Sequence, residues 1–361
     1  MRPFLAEKFF NPSSPYAPAL MVRRDYAAAK DALARTIGVK ADELVMTAGA
    51  TESINLAFGS IEGHVVTTAI EHHAVLAAAK NTTHTIVAVG ESGVVRPEDI
   101  AEAIRPDTVL VSVALANNEL GTVQPLSVIS ELIRRERARR REANDQTSLY
   151  FHSDASQGVG QLEVNVARLG VDLLTLNAGK VYGPKQVGLL WADAGVRLSA
   201  QIVGGGQERG LRSGTENVAG VVGFSVAMQL AAAHRKAEAE RLRTLRDGLQ
   251  QKLQEAFPEM VVSGNQKRRL PGHLHVSFPG IDAERLIFLL EMDKVYVATG
   301  SACAANKGTR SHVLTAIGMA DDVADGSLRI SLGQLSTPDT VVRGGQAIIR
   351  AVTSELERTR K

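Results

Sequence analysis

The sequence predicts an α/β fold in which helices cover a mostly parallel central sheet. Short β-branched runs recur from about Glu43 onward, and amphipathic stretches such as PEDIAEAI and LSVISELIRRERARR separate several of them. This alternation is typical of parallel strands joined by crossover helices, because strands that run in the same direction need a long connection. Functional groups are then expected at the carboxyl ends of the strands.

Seven runs are predicted strands of a large domain, since each has the length and apolar content of a buried strand. In chain order they are LVMT, HVVTT, HTIVAV, TVLVSVAL, SLYFHSD, DLLTL and VGLLWA. Apolar residues at helical spacing and many i,i+4 charge pairs then predict one long helix from Val218 to about Phe257.

A smaller unit is predicted after this helix. HLHVSF, VYVAT and SLRISLG are predicted strands, DAERLIFLLEM is a predicted helix, and Thr337–Pro338 is the start signal of a final helix. Because 361 residues exceed what one core normally sustains, we predict a large domain over residues 11–235 and a small α+β domain over residues 236–361. Residues 1–10 are expected to pack with the small domain.

The composition is that of an ordinary globular protein, with 44% hydrophobic and 22% charged residues. Forty-one Lys and Arg against 39 Asp and Glu leave a formal charge of +2, which predicts no nucleic-acid partner and no attraction to membranes. The basic run RRERARRRE is interpreted as a solvated helix face. We find neither a signal-peptide pattern nor an apolar run of membrane-spanning length, so the expected location is the cytoplasm.

Polar clusters follow five of the predicted strands: TAGATES, EHHAVL, NNELGTVQP, SDASQ and NAGK. Ala50 and Thr51 stand at a helix start, where free N–H groups favour a phosphate. Asp154 follows an apolar strand and needs a cationic partner such as a protonated pyridine nitrogen. Lys180 lies where the strand LLTL stops, and its amine can form a Schiff base. Together these groups match the requirements of pyridoxal 5′-phosphate.

Each of these residues also has a plainer interpretation. Thr51 could serve as a helix cap, Asp154 could cap the next turn, and Lys180 could be a solvated loop lysine. His72 has a pKa near neutrality and could stack on an aromatic ring or transfer protons, or it could be half of a surface histidine pair. Asn118 and Gln157 are neutral groups that could hold a ring oxygen.

The ordered segments TAGATESINLAF, EHHAVL, LANNELGTVQP, FHSDASQGVG, GKVYGPKQVG, GGGQERGLRSGTEN, GSAC and LRISLG resemble the cysteine desulfurases of the class V aminotransferase group. The resemblance extends from about Asn11 to the last helix. It implies the type I fold of pyridoxal-phosphate-dependent transferases, which is like that of aspartate aminotransferase. It also implies the conversion of L-cysteine to L-alanine by a homodimer.

The resemblance implies a role for each matching residue. Lys180 carries the cofactor covalently, Asp154 pairs with the pyridine nitrogen, and Gln157 contacts the ring oxygen. His72 stacks on the ring and takes part in proton transfer. The resemblance also gives Thr51, Asn118 and Thr215 as cofactor-binding positions, of which Thr215 reaches the phosphate of the neighbouring subunit. Two further cofactor-binding residues are predicted from this chain alone: Ala50 beside Thr51, and Asn177, which is expected to compensate in part for a histidine that the chain lacks.

Two further residues are assigned to the substrate by the same resemblance. Arg329 binds the substrate carboxylate, and Asn118 helps to position the substrate. Cys303 attacks the substrate sulfur and becomes a persulfide, from which sulfur passes to an acceptor protein for iron–sulfur cluster assembly or tRNA thiolation. Cys303 is the chain's single cysteine, which excludes an internal disulfide, and we predict no metal site. A lone cysteine is more often buried and inert, but the polar surroundings of GSACAANKGTR favour a reactive thiol.

The sequence departs from the family pattern at two places. Gly179 stands where a histidine usually precedes the lysine, and Asn177 stands where a serine is usual. The Ala-Thr-Thr-Pro turn with which family chains generally begin has no counterpart before NPSSPY. These departures leave open another class V activity, such as that of a selenocysteine lyase or an aminotransferase, or a non-catalytic member that acts as a binding partner.

Overall fold

The computed structural model describes residues 1–300 and 310–359 and divides into two compact units. The first unit comprises Met1–Val87, Arg96–Leu115 and Pro125–Arg235, and the second comprises Ala88–Val95, Ala116–Gln124 and Lys236–Lys361. The chain passes from the first unit to the second for the last time between Arg235 and Lys236, and the sequence analysis places its domain boundary at the same position. The two short segments that the second unit takes from the first half of the chain were not anticipated.

A seven-stranded sheet forms the centre of the first unit, in the order β1-β7-β6-β5-β4-β2-β3. Its strands are β1 Leu44–Thr47, β2 His64–Thr68, β3 His84–Val87, β4 Thr108–Ser112, β5 Tyr150–Asp154, β6 Leu173–Asn177 and β7 Gly188–Ala192. Only β7 is antiparallel to its neighbours, β1 and β6. The carboxyl ends of the other six strands consequently lie at one edge of the sheet.

Helices surround this sheet because most of its strand residues are inaccessible to water and need apolar cover. The helices of the first unit are α1 Pro3–Ala6, α2 Ala17–Ile37, α3 Ala50–Gly59, α4 His73–Ala79, α5 Pro97–Ala103, α6 Leu126–Glu142 and α7 Val166–Leu169. Helix α8, Val218–Ala256, contains the division between the units and matches the long helix predicted from the sequence. Ile54 of α3 packs with Val65, Leu110, Leu173 and Leu190 of the sheet in one buried cluster.

A buried histidine joins three strands of this sheet. His152 on β5 forms hydrogen bonds with Ser112 on β4 (Nδ1 to Oγ, 2.8 Å) and with Thr175 on β6 (Nε2 to Oγ1, 3.0 Å). Burial lowers the pKa of His152 to about 3, so the imidazole is neutral and each ring nitrogen has a hydroxyl partner. This arrangement satisfies polar groups that would otherwise be costly inside the sheet.

The basic run on α6 is a solvated face only in part. Arg134, Arg135 and Arg139 are 61–71% exposed and pair with glutamates on the same helix. Arg140 contradicts the prediction, since its side chain is only 2% exposed. Its guanidinium donates to the backbone carbonyls of Thr108 (2.8 Å) and Arg105 (2.9 Å) and pairs with Glu136 (2.8 Å), so the buried cation has partners on several sides.

The second unit contains a three-stranded antiparallel sheet in the order β10-β9-β8. Its elements are β8 Val261–Val262, β9 His273–Ser277, β10 Ser327–Ser331, α9 Ala283–Met292, α10 His312–Ala316, α11 Asp321–Ala324 and α12 Pro338–Thr359. Leu253, Leu274, Leu286, Leu328 and Ile348 belong to its buried core. The predicted strand VYVAT is wrong, because only Ala298 pairs, through an isolated bridge to Arg329.

Residues 1–10 group with the first unit, whereas the sequence analysis expected them to pack with the small domain. Lys8 forms a salt bridge with Asp25 on α2 (2.9 Å), and the sulfur of Met1 lies 2.7 Å from where a Cβ on Gly223 would be. Both contacts involve residues outside this short segment, so its sequence alone could not predict which unit it packs against. Within residues 1–300 and 310–359, no helix is both long and apolar enough to cross a membrane.

Candidate active site

The end of β1 leads directly into α3, where the predicted phosphate-binding residues lie. Gly49 has φ +146°, which favours glycine, and Ala50 begins the helix without any side-chain cap. Gly188 on β7 permits this approach, since a Cβ there would lie 2.7 Å from the Cα of Gly49. Thr51 is exposed beside the uncapped N–H groups of the first turn. The helix start therefore has free donors and a hydroxyl for an anion.

Lys180 lies directly after β6, as the sequence predicts. It belongs to a single 3₁₀ turn, Ala178–Val181, and is exposed. Asn177 caps this turn by accepting a hydrogen bond from the amide of Gly179 at Oδ1 (2.9 Å). The Nδ2 of Asn177 lies 3.8 Å from where a Cβ on Gly49 would be. Asn177 therefore stands between the lysine turn and the start of α3.

Asp154 ends β5, the strand beside β6, and is half-buried. Its Oδ1 accepts a hydrogen bond from the amide of Ser156 (2.9 Å), so the turn-capping interpretation is correct for that oxygen. Among the described residues, Oδ2 accepts no hydrogen bond, which leaves it available to a cationic ligand. Gln157 is half-buried in the turn that follows.

His72 follows β2 and caps α4, with Nδ1 accepting from the amide of Ala74 (3.1 Å). Partial desolvation lowers the pKa of His72; the carboxylate of Asp154 opposes this, and the charges of His73 and Lys180 reinforce it. The imidazole is thus neutral near pH 7, with its proton on Nε2. Because β2, β5 and β6 are parallel and end at the same edge of the sheet, the three predicted residues lie along that edge.

Sequence reasoning missed Glu71, which precedes His72 and is only 2% exposed. Its Oε1 accepts hydrogen bonds from the hydroxyl of Thr68 (2.7 Å) and from the amide of Ala114 (3.0 Å). It thereby joins the end of β2 to the segment after β4 and holds the backbone that carries His72. Burial raises its pKa to about 7, although both hydrogen bonds favour the ionised form.

Thr215 is exposed at the end of a segment that is tied to the start of α3. Arg212 donates from Nε to Oε1 of Glu52 (2.9 Å), and Oε2 of Glu52 accepts from the amide of Ala48 (2.9 Å). The contact between Arg212 and Glu52 is not evident from the sequence, because the two residues are 160 positions apart.

The predicted substrate-binding residues Arg329 and Asn118 lie together in the second unit. Arg329 is half-buried on β10, and its Nη1 donates to the carbonyl oxygen of Asn118 (3.4 Å). Among the described residues this is the one hydrogen bond of the Arg329 side chain, so most of its five N–H donors are available to a ligand. Cys303 lies outside the described residues.

The residues of the first unit fit pyridoxal phosphate on their chemistry. The uncapped start of α3 suits the phosphate, Oδ2 of Asp154 suits a protonated ring nitrogen, and Lys180 provides an exposed amine. Gly179 supplies only backbone where the resemblance implies a histidine.

Comparisons with known proteins agree with this chemistry. The model of the family "aminotransferase class-V" matches residues 1–343. The chain belongs to the class V aminotransferase family. It is 38% identical to cysteine desulfurase IscS of Dictyoglomus turgidum over 351 residues, which cover 94% of this chain and 86% of that relative. It is also 38% identical to cysteine desulfurase IscS 1 of Archaeoglobus fulgidus over 372 residues, with coverage of 100% and 93%.

Solved structures agree with the same assignment within the class V family. A NifS-like protein superposes with a TM-score of 0.88 at 32% identity, and the superposition covers 98% of this chain and 94% of the NifS-like chain. A structure titled SspA in complex with cysteine superposes with a TM-score of 0.76 at 32% identity, with coverage of 92% and 93%. The predicted fold and the predicted membership of the cysteine desulfurases, which are pyridoxal-phosphate enzymes, are confirmed.

Proposed function

We propose that this protein converts L-cysteine to L-alanine and passes the sulfur, through a persulfide on Cys303, to an acceptor protein for iron–sulfur cluster assembly or tRNA thiolation. The observation that carries the proposal is the position of His72, Asp154 and Lys180, which lie at the carboxyl ends of β2, β5 and β6 at one edge of the sheet. It occurs in a chain whose relatives are named cysteine desulfurases.

Residues of the first unit hold the cofactor in this proposal. Lys180 binds it covalently, Asp154 and Gln157 contact its ring, and Asn177 positions the lysine turn. Ala50 and Thr51 bind its phosphate, as does Thr215 from a neighbouring subunit. When bound, pyridoxal phosphate supplies an electron sink for the substrate carbons.

The substrate is bound and its protons are moved by other side chains. Arg329 binds the carboxylate through its unused donors, and Asn118 helps to position the substrate beside it. His72 is neutral with a proton on Nε2, so it can donate at that atom and take the proton back.

Cys303 carries the sulfur step. Its thiolate attacks the sulfur of the bound cysteine, the new S–S bond forms, and the bond between that sulfur and the substrate β-carbon breaks. The electron pair of the broken bond stays with the substrate, whose β-carbon takes up a proton and becomes the methyl group of alanine. Overall, L-cysteine and a thiol are consumed and L-alanine and a persulfide are formed, and the reaction needs no added oxidant or reductant.

A homodimer with shared sites is part of the proposal. Val203 is 80% exposed and Ile202 is 43% exposed on the segment that leads to Thr215. The backbone of Ser213 donates to the carbonyl of Ile202 (2.9 Å), which connects these apolar side chains to the Thr215 segment. Exposed apolar groups at such a place favour contact with a second copy of the chain.

An absorbance spectrum of the purified protein tests the cofactor assignment. We expect a visible band that L-cysteine perturbs and that borohydride removes while it links the cofactor irreversibly to the chain. The variant Lys180→Ala should lose this linkage, and Lys185→Ala, which changes an exposed lysine of the same loop, should keep it. A protein that takes up no pyridoxal phosphate would support the non-catalytic alternative instead.

The variant Cys303→Ser separates the desulfurase from other class V activities. A desulfurase should lose persulfide formation and alanine production from L-cysteine, while its visible band remains. An aminotransferase would keep its activity in this variant. A preference for selenocysteine over cysteine in the unchanged protein would indicate a selenocysteine lyase.

A further inference from the structure

A buried carboxylate in the second unit contacts the surroundings of Arg329 and has no role in the reaction described so far. Glu119 is 0% exposed. Its backbone is held by Asn117, whose Oδ1 accepts from the amides of Glu119 (2.9 Å) and Leu120 (2.8 Å). The side chain is therefore supported by a rigid turn on the segment that also carries Asn118.

The carboxylate of Glu119 touches residues on both sides of positions 301–309. The hydroxyl of Ser311 donates to its Oε2, and the same hydroxyl accepts from the amides of Val313 (3.1 Å) and Leu314 (3.3 Å) at the start of α10. On the other side, a Cβ on Gly300 would lie 3.0 Å from Oε2, a tight contact that would displace the carboxylate. Gly300 also has φ +53°.

Glu119 directly follows Asn118, whose carbonyl oxygen accepts a hydrogen bond from Nη1 of Arg329 (3.4 Å), and it places a negative charge near that guanidinium. Burial lowers the pKa of Arg329, and Glu119 is the carboxylate whose charge opposes that effect. His275, which faces Arg329 across the β9–β10 pair, has a pKa lowered to about 4 and is neutral. Among the described residues, Glu119 is thus the anion that balances the half-buried guanidinium.

We propose that Glu119 is a positioning residue that holds Arg329 for recognition of a ligand carboxylate. This inference rests on the proposed function, in which Arg329 binds the carboxylate of the amino-acid substrate. Asn118 occupies one donor and the charge of Glu119 orients the guanidinium, so the other donors are presented in a fixed fork to the carboxylate.

The test uses the holoenzyme and two carbonyl reagents that displace a lysine from pyridoxal phosphate. Aminooxyacetate carries a carboxylate, whereas O-methylhydroxylamine does not. The ratio of their second-order rate constants, followed by absorbance, measures carboxylate recognition without turnover. We expect a ratio well above one in the unchanged protein and a ratio near one in Arg329→Met.

The variant Glu119→Gln should lower this ratio about fivefold by slowing the reaction of aminooxyacetate alone. The carboxylate that orients the Arg329 guanidinium then becomes a neutral amide, which interacts with it more weakly. The double variant Glu119→Gln/Arg329→Met should be no lower than Arg329→Met, since the two residues act in series. Glu291→Gln, which changes an exposed glutamate of α9, is the matched control and should leave the ratio unchanged. Glu119→Asp keeps the charge and should restore part of the ratio.

Two outcomes in Glu119→Gln would overturn the inference: a higher ratio, or an unchanged ratio, whether or not both reagents are slowed equally. A higher ratio would mean that Glu119 only weakens the attraction for anions, and equal slowing would mean a structural role. If Glu119→Gln does not fold, Ser311→Ala removes the hydroxyl donor instead and should lower the ratio in the same direction. If Arg329→Met leaves the ratio unchanged, the proposed substrate binding fails rather than the role of Glu119.

Discussion

The buried carboxyl of Glu71 makes the stability of the first unit depend on pH. The ordinary pKa of a glutamate is 4.5, and burial raises that of Glu71 to about 7. Between these values the unfolded chain releases the proton while the native chain keeps it, so the free energy of unfolding falls as pH rises. At about 1.36 kcal/mol for each pH unit, the loss is roughly 3 kcal/mol. This loss of unfolding free energy is absent below pH 4.5 and complete above about pH 7.

The variant Glu71→Gln should remove this dependence. A glutamine mimics the protonated acid, and its Oε1 can still accept from Thr68 and from the amide of Ala114. The free energy of unfolding of the unchanged protein, minus that of the variant, should therefore fall by about 3 kcal/mol between pH 4.5 and pH 8.

Urea unfolding at several pH values measures this difference. Trp191, the only tryptophan, is 4% exposed on β7, so its fluorescence reports on the first unit. Glu62→Gln, which changes an exposed glutamate of the same unit, is the control and should follow the unchanged protein. A difference between Glu71→Gln and the unchanged protein that stays constant from pH 4.5 to pH 8 would refute the reasoning, because Glu71 would then be ionised in the native state at neutral pH.

Three more predictions concern other contacts of the first unit. Arg140→Met should lower the free energy of unfolding by about 1–3 kcal/mol, because the buried guanidinium loses its hydrogen bonds to the carbonyls of Thr108 and Arg105, whereas Arg139→Met, which changes an exposed arginine, should have a much smaller effect; urea unfolding at pH 7 decides, and equal effects would contradict the assignment. Gly179→His should slow the loss of pyridoxal phosphate on dialysis about tenfold, since its Cβ would meet only ordinary contacts; an unchanged rate would show that the backbone and Asn177 already suffice, and faster loss would show that the histidine does not fit. Mixing Lys180→Ala with Thr215→Val should restore about one quarter of the desulfurase activity if sites are shared between subunits, whereas no recovery after the subunits have exchanged would argue against sharing.

The local pattern of the sequence was enough for most of the secondary structure. Runs such as LVMT and DLLTL became β1 and β6, because apolar, β-branched segments of that length are stable only when buried on both faces. The same pattern located Asp154 and Lys180 at strand ends, since a polar residue after a buried run marks where the strand leaves the core. VYVAT failed because a β-branched run becomes a strand only where a partner edge is available, and here only Ala298 pairs.

Contacts between distant segments could not be read from the sequence. Arg140 looks like its solvated neighbours until the carbonyls of Arg105 and Thr108 are placed beneath it. The order of the strands decides that the charges of Asp154 and Lys180 act on His72, because it brings residues more than 80 positions apart to one edge of the sheet.

The sequence by itself therefore determined the kind of fold, the family and the residue types at each strand end, since these depend on local pattern and motif order. The tertiary structure alone decided which charges act on one another. It buried Glu71 beside the amide of Ala114 and raised its pKa, and it placed Glu119 against Ser311 and in the electrostatic range of Arg329. Burial and the proximity of charge are properties of the folded chain, because they arise only when segments far apart in sequence exclude water together.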